Sequence, residues 1–383
     1  MECGELTHSI AIHIKNTHPA LTVEQYQEKH PDAPLFSELA EKRIEEKRLE
    51  IAKAVVNESN EAKSDKLEKE RKESMSDVFG LGKVKSCLSA NGDPIMITIL
   101  NRENYNEFIP EIDKNYIFQI GLLKNVLMGI EMNIPTYLWG HAGVGKSSVF
   151  EQVCAYTKRP YIRVQHTANT EESHIVGQTL ANKDGTYFEP GPLAIAMRYG
   201  LVYNADEYDF AHASVVAVYQ PVLEGKSLVI KEATPDWRIV KPHRDFRFVA
   251  TGNTNGNGDD TGLYAGTNLG NSANYSRFGI TDHVKYMDRD IESKVIASQS
   301  GIDLNDAKRL VEFANAIRGS FQKGEMSVTI GPRELIYAAR LGLATMNWTH
   351  GIALAFANRL PAVDFEIVSG VMNRHFSAEK LNF

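Results

Sequence analysis

Cysteine is scarce in this sequence of 383 residues: Cys3, Cys87 and Cys154 are far apart and odd in number. Isolated cysteines do not make a disulfide framework and are typical of a reducing compartment. No apolar run approaches the roughly 18 residues that a transmembrane helix needs. The N-terminus also lacks the basic and apolar regions of a signal peptide. We therefore expect a cytoplasmic protein that does not span a membrane.

An excess of basic charge is lacking as well. The formal net charge is −7 at pH 7, with 43% hydrophobic and 24% charged residues. These fractions are typical of a soluble globular protein. The acidic balance argues against broad, sequence-independent binding to nucleic acid. The length allows two or more modules with a substantial core.

Four regions of the chain differ in composition. Residues 1–36 form a small His-rich module, and residues 37–75 are so rich in Glu, Lys and Arg that they predict a charged helical linker. In residues 76–287 short apolar runs alternate with helical patterns, which indicates a parallel sheet with crossover helices. Residues 288–383 have a helical pattern throughout. The runs that predict buried strands are TYLWG, YIRVQ, LVYNAD and FRFVATGN.

The strongest motif is GHAGVGKS, residues 140–147, which fits the pattern G-x-x-x-x-G-K-[ST]. An apolar strand precedes it and a helix-like run follows. In such a loop backbone N–H groups surround phosphate oxygens, the lysine adds a point charge, and the hydroxyl ligates Mg²⁺. The alternative is a Gly-rich turn with an exposed lysine. The predicted nucleotide-binding residues are Gly140, His141, Ala142, Gly143, Val144, Gly145, Lys146, Ser147 and Ser148.

Three further polar residues follow predicted strands. Asp206 in LVYNADE is placed to hold Mg²⁺ together with Ser147, and Glu207 is placed to act as general base towards a water molecule. Asn253, after FRFVATG, would orient that water. Taken alone, Asp206 and Glu207 could be an acidic pair on the surface at the end of a strand, and Asn253 could belong to an ordinary turn without a function.

Two arginines complete the candidate catalytic set. Arg277 lies in NYSRFG before a strand-like run, and Arg333 begins a helix in TIGPREL. An arginine supplied to the γ-phosphate is a large effect in phosphoryl transfer. Taken singly, an arginine in such a position is more often part of a surface ion pair.

Between Asn253 and Arg277 the sequence contains the unusual stretch GNTNGNGDDTGLYAGT, residues 252–267. Its alternating Asn residues imitate the start of an EF-hand loop, but Tyr264 stands where the bidentate Glu is required, so calcium binding is excluded. Gly and Asn tolerate the backbone angles of a sharply turning loop. We expect the loop to serve a subunit interface or a ring-facing surface through Asp259, Asp260 and Thr261.

Several segments together resemble a known family. They are ADEYDFAHASVVAVYQPVLEGK, KPHRDFRFVATGNTNGNGDDTGLYAGT, NYSRFGI and SVTIGPREL. In them, and over most of its length outside the charged linker, the chain resembles AAA+ ATPases of the MoxR-like branch, in particular the CobS subunits of cobaltochelatase. KDGTYFEPGPLAIAMRYG is similar to the helix-2 insertion region of that branch.

The resemblance implies a P-loop AAA+ core, an α/β parallel sheet sandwiched by helices, with a C-terminal α-helical lid. It also implies ATP and Mg²⁺ as ligands and a homo-oligomeric ring, usually a hexamer. Arg277 would then act on a neighbouring subunit, and Arg333 on its own. The partners implied are a CobT-like VWA-domain protein and a large chelatase subunit, with this chain as the motor.

The N-terminal module is similar to a small zinc finger-like fold. His13 and His18 keep one ligand spacing, but only Cys3 remains of the cysteine pair, with His8 as a substitute fourth ligand. Zinc in a structural site takes four ligands. A packed module with hydrogen-bonded histidines is therefore favoured over a zinc site.

Two other functions stay open at this point. One is a MoxR-like or McrB-like NTPase motor with a VWA partner that serves another task, such as viral or nucleic-acid processing. The other, of a different class, is a DNA-binding regulator that acts through its N-terminus.

Overall fold

The computed structural model describes residues 25, 26, 29, 70–82, 84–101, 105–183, 185–259, 262–264, 266–268 and 270–376. Most of the N-terminal module, including Cys3, His13 and His18, most of the charged linker, and Asp260 and Thr261 lie outside the described residues. Among the described helices, none is long and apolar enough to cross a membrane. The same part of the chain contains no group of three or more His, Cys, Asp or Glu side chains suited to a metal ion. Glu70 begins the compact unit described below.

Short strands and longer helices alternate along this unit. The strands are β1 Arg71–Ser74, β2 Met96–Ile99, β3 Thr136–Trp139, β4 Tyr161–Gln165, β5 Gly177–Asn182, β6 Gly185–Pro190, β7 Val202–Asp206, β8 Leu228–Val229, β9 Ile239–Val240, β10 Arg247–Gly252 and β11 Ile280–His283. The helices are α1 Met75–Val78, α2 Ile120–Glu131, α3 Lys146–Tyr156, α4 Glu172–Val176, α5 Pro192–Tyr199, α6 Ala213–Leu223, α7 Ser272–Tyr275, α8 Arg289–Ser300, α9 Leu304–Gln322, α10 Pro332–Thr345, α11 Trp348–Ala355 and α12 Ala362–Phe376.

The centre of the described unit is a parallel sheet in the order β11-β3-β10-β7-β4. Each apolar run predicted as a strand forms one of its members, and the strand-like run after Arg277 forms the edge strand β11. β3, which leads into the P-loop, lies between β10 and β11. Because all strands are parallel, their carboxyl ends meet at one edge, where open α/β sheets bind ligands.

Both faces of the sheet are covered by helices. Neighbouring strand residues point to opposite faces, so Tyr203 packs in a core with α5 and α6 whereas Val202 packs in a core with α2 and α3. Phe248 and Val249 on β10 divide in the same way. Strands buried on both faces read as continuous apolar runs. The predicted α/β fold is therefore correct.

The C-terminal helical region, α8 to α12, has an apolar core of its own. Leu310, Phe313 and Ile317 on α9 pack there with Leu335 on α10 and Trp348 on α11. Apolar residues three or four apart on α9 make the stripe expected of an amphipathic helix. This helical lid contacts the phosphate-binding edge through the start of α10.

Three antiparallel pairs flank the central sheet: β1 with β2, β5 with β6, and β8 with β9. β1 comes from the end of the segment whose composition predicts a linker. Its residues Arg71–Ser74 are polar, and pairing with the apolar β2 orders them. The pair β5–β6 lies between β4 and β7 in the chain; β6 falls within the segment that resembles the helix-2 insertion, and β5 directly precedes that segment.

Candidate active site

The candidate site lies at the carboxyl edge of the sheet, where β3, β7 and β10 end side by side. The P-loop follows β3, Asp206 is the last residue of β7, and Asn253 follows β10. Arg163 on β4 and Arg333 at the start of α10 line the same cleft of about 340 Å³. This volume is in the range of small-molecule binding sites.

The P-loop has the backbone that its glycines predict. Gly140, Gly143 and Gly145 have φ angles of 145°, 78° and 94°. A Cβ on Gly140 would lie 2.3 Å from the carbonyl oxygen of Val284 on the neighbouring chain segment, so only glycine fits. α3 begins at Lys146 immediately after the loop, and its first residues line the cleft without a side-chain cap. The first N–H groups of a helix have no partner within the helix and are suited to phosphate.

Lys146 is the centre of the polar network. Its Nζ donates to the carbonyl oxygens of Gly140 at 2.6 Å and His141 at 3.0 Å, and to Oδ1 of Asn253 at 3.0 Å. The Asn253 amide Nδ2 in turn donates to Oε2 of Glu207 at 2.7 Å. The predicted lysine, sensor asparagine and general base thus form one hydrogen-bonded chain.

Ser147 and Asp206 form the second pair of the site. Ser147 Oγ donates to Oδ1 of Asp206 at 2.5 Å, and the Thr251 hydroxyl donates to the same carboxylate oxygen. Mg²⁺ prefers hard oxygen ligands and is usually held by one or two protein groups together with phosphates and water. A hydroxyl and a carboxylate oxygen in contact beside the P-loop fit that requirement. Ser147 and Asp206 are therefore the residues that would hold Mg²⁺.

Arg163 is a site residue that the sequence reasoning missed. Its Nε donates to Oδ2 of Asp206 at 2.8 Å, and its Nη2 contacts the same oxygen. The Arg163 side chain is 49% exposed to the cleft, whereas that of Asp206 is 2% exposed. An arginine at the centre of the otherwise uncharged run YIRVQ was the available signal.

The pKa values of the neighbouring acids Asp206 and Glu207 are shifted in opposite directions. Burial alone would raise the pKa of Asp206, but hydrogen bonds from Ser147, Thr251 and Arg163 hold it below its ordinary value. The pKa of Glu207 is raised, first by burial and then by the nearby Asp206 and Asp209 carboxylates, against the lowering effect of Lys146. One carboxylate is thereby kept charged, while the other gains proton affinity, as a general base requires.

Asp209 is a further buried carboxylate behind the site. Its Oδ2 accepts hydrogen bonds from the backbone N–H groups of Asn253 and Thr254, both at 2.8 Å, and from the Thr254 hydroxyl at 3.0 Å. These contacts fix the backbone on which Asn253 is carried. Glu207 has a left-handed backbone with φ of 55°, which starts the turn that brings Asp209 back under the loop.

Arg333 reaches the site from the lid. A Cβ on Gly143 would lie 3.2 Å from Cβ of Arg333, so α10 begins directly against the P-loop. Arg340, about two turns further along α10, lines the same cleft and donates to the backbone oxygen of Gln299 on α8. The predicted lid arginine is thus brought to the site of its own chain.

Arg277 is not brought to this cleft. It lies after α7, where its Nε donates to Oε1 of Glu224 at 2.9 Å, and its Nη1 donates to the backbone oxygen of Ala273 at 2.5 Å.

In loop 252–267, Asp259 accepts a hydrogen bond from the N–H of Tyr264, and Tyr264 contacts the P-loop. The Tyr264 contact was not foreseen, because no local pattern links a loop residue to a segment more than a hundred positions earlier.

Comparison with known proteins identifies two family segments. Residues 135–268 match the family described as AAA domain (dynein-related subfamily), and residues 292–373 match the CbbQ/NirQ/NorQ C-terminal family. The first segment contains the P-loop, Asp206, Glu207 and Asn253. The second begins within α8 and covers most of the lid.

Three relatives match over longer stretches. The aerobic cobaltochelatase subunit CobS of Sinorhizobium sp is 29% identical over 283 residues, which are 71% of this chain and 84% of that protein. CbbQ of Hydrogenophilus thermoluteolus is 30% identical over 209 residues, 54% of this chain and 74% of that protein. NorQ of Paracoccus denitrificans is 24% identical over 264 residues, 69% of this chain and 90% of that protein. With its P-loop, central parallel sheet and C-terminal helical region, this chain belongs to the MoxR-like AAA+ ATPases.

Proposed function

We propose that this chain is the Mg²⁺-dependent ATPase subunit of a ring-forming motor that remodels or activates a partner complex, as CobS does for a cobalt chelatase. The observation that carries the proposal is the hydrogen-bonded chain from Lys146 through Asn253 to Glu207. It lies beside the contact between Ser147 and Asp206. These groups provide phosphate binding, a metal-binding site and a general base within one cleft.

Each residue has a distinct task in hydrolysis. Lys146 and the P-loop N–H groups bind the phosphates, and Arg333 adds positive charge from the lid. Glu207 accepts the proton of the attacking water, while Asn253 holds Glu207 and that water in line. Ser147 and Asp206 would hold Mg²⁺, which would supply neutralisation of the phosphate charge. Arg277 completes the site of a neighbouring subunit.

The test is the variant Glu207→Gln in the full chain. Loss of the base lowers the rate of Mg²⁺-dependent phosphate release by a factor on the order of 10² to 10⁴. The affinity for ATP stays within about twofold, because the amide preserves the shape of the side chain. Glu366→Gln, an exposed position on α12, is the matched control and retains full activity. Equal rates for Glu207→Gln and the wild type would refute the assignment.

The client is proposed to be a CobT-like VWA-domain protein together with a large chelatase subunit. Support comes from the match to CobS over 84% of that protein. We expect a homo-oligomeric ring, a hexamer, in the presence of ATP and Mg²⁺. Mass measurement of the assembly tests the ring, and stimulation of ATP hydrolysis by an added CobT-like protein tests the partner. Absence of stimulation in a verified ring would exclude this client.

A second candidate is a MoxR-like or McrB-like motor for another client. It is favoured by the C-terminal match to the CbbQ/NirQ/NorQ family and by the 30% identity to CbbQ. Competition between ATP and GTP for the site separates a GTP-dependent McrB-like motor from the ATPase. Co-purification with a VWA protein and no chelatase subunit would support a client other than cobalt insertion.

A further inference from the structure

The bridging loop, defined here as residues 253–268, has both of its ends held by one short segment. Its first residues, Asn253 and Thr254, donate three hydrogen bonds to the carboxylate of Asp209. Its last residue, Asn268, donates its backbone N–H to the Asp209 carbonyl oxygen at 2.8 Å. The Asn268 side chain also donates to the carbonyl oxygens of Phe210 and Ala211, both at 3.1 Å. The loop is therefore closed at its base directly behind Glu207.

The far side of the bridging loop touches the P-loop. The Tyr264 hydroxyl lies 2.9 Å from Nδ1 of His141 and accepts the backbone N–H of Ala142 at 3.1 Å. The Asp259 carboxylate accepts the backbone N–H of Tyr264 at 2.5 Å, which fixes the direction of the tyrosine. One loop thus connects the segment behind Glu207 with the second and third residues of the phosphate-binding motif.

We propose that the bridging loop is a positioning element whose two anchoring contacts have separable functions: Tyr264 of the loop holds the P-loop in its nucleotide-binding shape, and Asp209, outside the loop, holds its first residue Asn253 against Glu207. The inference rests on the proposed ATPase function and extends it to residues that contact the site residues and not the reacting atoms.

The Tyr264 end acts on binding. His141 and Ala142 have no regular secondary structure to hold them, since they precede the helix that begins at Lys146. A hydroxyl that accepts from the Ala142 N–H and is hydrogen-bonded to His141 Nδ1 fixes the backbone before nucleotide arrives. A preorganised loop loses less conformational freedom on binding. Because bound substrate and transition state use the same loop shape, losing this contact weakens binding and leaves the chemical step unchanged.

The Asp209 end acts on the chemical step. Asp209 is 2% exposed, and its three donors all meet Oδ2, while Oδ1 has no hydrogen-bond partner among the described residues. The carboxylate therefore anchors the first two residues of the bridging loop through one oxygen. Asn253 carries the amide that joins Lys146 to Glu207. When the anchor is removed, the amide shifts and the water loses its orientation, whereas phosphate binding persists.

The binding end is tested with Tyr264→Phe, which removes only the hydroxyl. The dissociation constant of the fluorescent nucleotide mant-ADP rises about three- to tenfold, the effect of roughly one hydrogen bond, and kcat stays within about twofold. Tyr286→Phe is the matched control, since the Tyr286 ring also stacks on His141 but its hydroxyl pairs with Thr329. An unchanged dissociation constant in Tyr264→Phe, or an equal rise in Tyr286→Phe, overturns this half.

The catalytic end is tested with Asp209→Ala and Asp209→Asn. The alanine variant lowers kcat at least about tenfold, with mant-ADP affinity within about twofold. The asparagine variant recovers kcat to within about threefold, because its amide oxygen accepts the same donors and its NH₂ replaces an oxygen without a partner. Failure of Asp209→Asn to recover activity overturns this half. If the alanine variant does not fold, Thr254→Val removes one of the three donors and must still lower kcat without changing affinity.

The two proposals fail in different ways. A wild-type chain that hydrolyses no nucleotide refutes the ATPase function, while mant-ADP binding to Tyr264→Phe still decides the binding end. A wild-type chain that hydrolyses ATP, with Tyr264→Phe and Asp209→Ala both indistinguishable from it, refutes the bridging-loop proposal alone. Thermal unfolding of every variant separates loss of function from loss of fold.

Discussion

Lys146 holds its ammonium group in an almost completely buried position, with 8% of the residue exposed. Burial first, and Arg333 to a smaller extent, lower its pKa to about 8, against the raising effects of Glu207, Asp209 and Asp206. This lysine therefore keeps most of its charge at pH 7 and loses it as the pH rises through about 8. Throughout the range in which Lys146 loses its charge, the terminal phosphate of a nucleotide is already ionised, since its second pKa is about 6.

The consequence at the residue scale is a pH dependence of nucleotide affinity. We expect the dissociation constant of mant-ADP to rise about five- to tenfold between about pH 7.5 and 9, because each site must take up a proton on Lys146 to bind phosphate. Lys146→Arg keeps its charge throughout this range, so it binds more weakly but with a flat profile. A flat profile in the wild type would show that the lysine is not the titrating group.

Individual site residues divide clearly in how well the sequence reveals them. Lys146 and Ser147 follow from a local motif, and Asp206 follows from an acid at the end of a buried strand. Arg163 and Asp209 do not, because their roles depend on partners about forty residues away that only the parallel pairing of β4 with β7 and the closure of the bridging loop bring near. Roles fixed by long-range contacts leave no periodic or local signature.

At the scale of elements, α8 and α9 are joined by a buried ion pair. Arg318 on α9 makes two hydrogen bonds to the Glu292 carboxylate on α8, both at 2.7 Å, and the two side chains are 5% and 0% exposed. The guanidinium also lies 3.8 Å from the centre of the Tyr286 ring. Removing one partner of such a pair leaves the other buried without compensation.

We expect Glu292→Gln to lower the free energy of unfolding of the lid by about 3 kcal/mol, the lower end of the usual range because the amide still fills the space. The same two helices provide a control, since Arg289 and Glu312 pair while 53% and 38% exposed. Glu312→Gln should therefore cost less than about 1 kcal/mol. Denaturant unfolding followed by circular dichroism measures both, and equal effects would contradict the importance of burial.

Two glycines in the lid helices make a second prediction at this scale. A Cβ on Gly351 in α11 would lie 2.4 Å from the carbonyl oxygen of Ala338 and 2.4 Å from the N atom of Gly342, both in α10. Gly351→Ala therefore forces the two helices apart and lowers stability by about 1–3 kcal/mol or more. Gly370 in α12 has nothing within 4 Å of the same position, so Gly370→Ala raises stability by about 0.5–1 kcal/mol. Changes of opposite sign in the unfolding midpoint are the expected result.

Elements differ in how far the sequence predicts them. The central strands are visible because burial on both faces gives nearly continuous apolar runs. In LVYNAD, which forms β7, Asn204 interrupts the run but is buried and donates to the Tyr161 hydroxyl. The pairs β5–β6 and β8–β9 are not visible. The residues of β5 and β6 are mostly exposed, and β8 and β9 have only two residues each. Neither alternation nor a long apolar run therefore marks these strands in the sequence.

At the scale of the whole molecule, the position of Arg277 separates it from the site of its own chain. Its guanidinium pairs with Glu224 and is 26% exposed, and it is not among the groups lining the cleft with Lys146. An interface formed by two copies uses residues from both. The arginine that would complete the site therefore comes from the neighbouring subunit and is tested in the assembled protein. The proposed ring places Arg277 at the γ-phosphate of a neighbour.

This arrangement predicts that two inactive variants restore activity when mixed. Arg277→Ala and Glu207→Gln each abolish ATP hydrolysis alone, since every site in such a ring lacks either the arginine or the base. In mixed rings some sites combine an intact Glu207 from one subunit with an intact Arg277 from the next. With random mixing at equal amounts, about a quarter of the sites are complete, so steady-state phosphate release recovers to about a quarter of the wild-type rate.

Recovery on mixing distinguishes the two positions that Arg277 can take. If Arg277 acted on its own chain, the Arg277→Ala subunit would lack the arginine at its only intact base, and no mixture could recover activity. A mixture of Arg277→Ala with Lys146→Ala gives a second case, because the Lys146→Ala subunit cannot hold nucleotide but still offers its arginine. Recovery in both mixtures, and none when Glu207→Gln is mixed with Lys146→Ala, is the pattern that only an arginine supplied across the subunit interface produces.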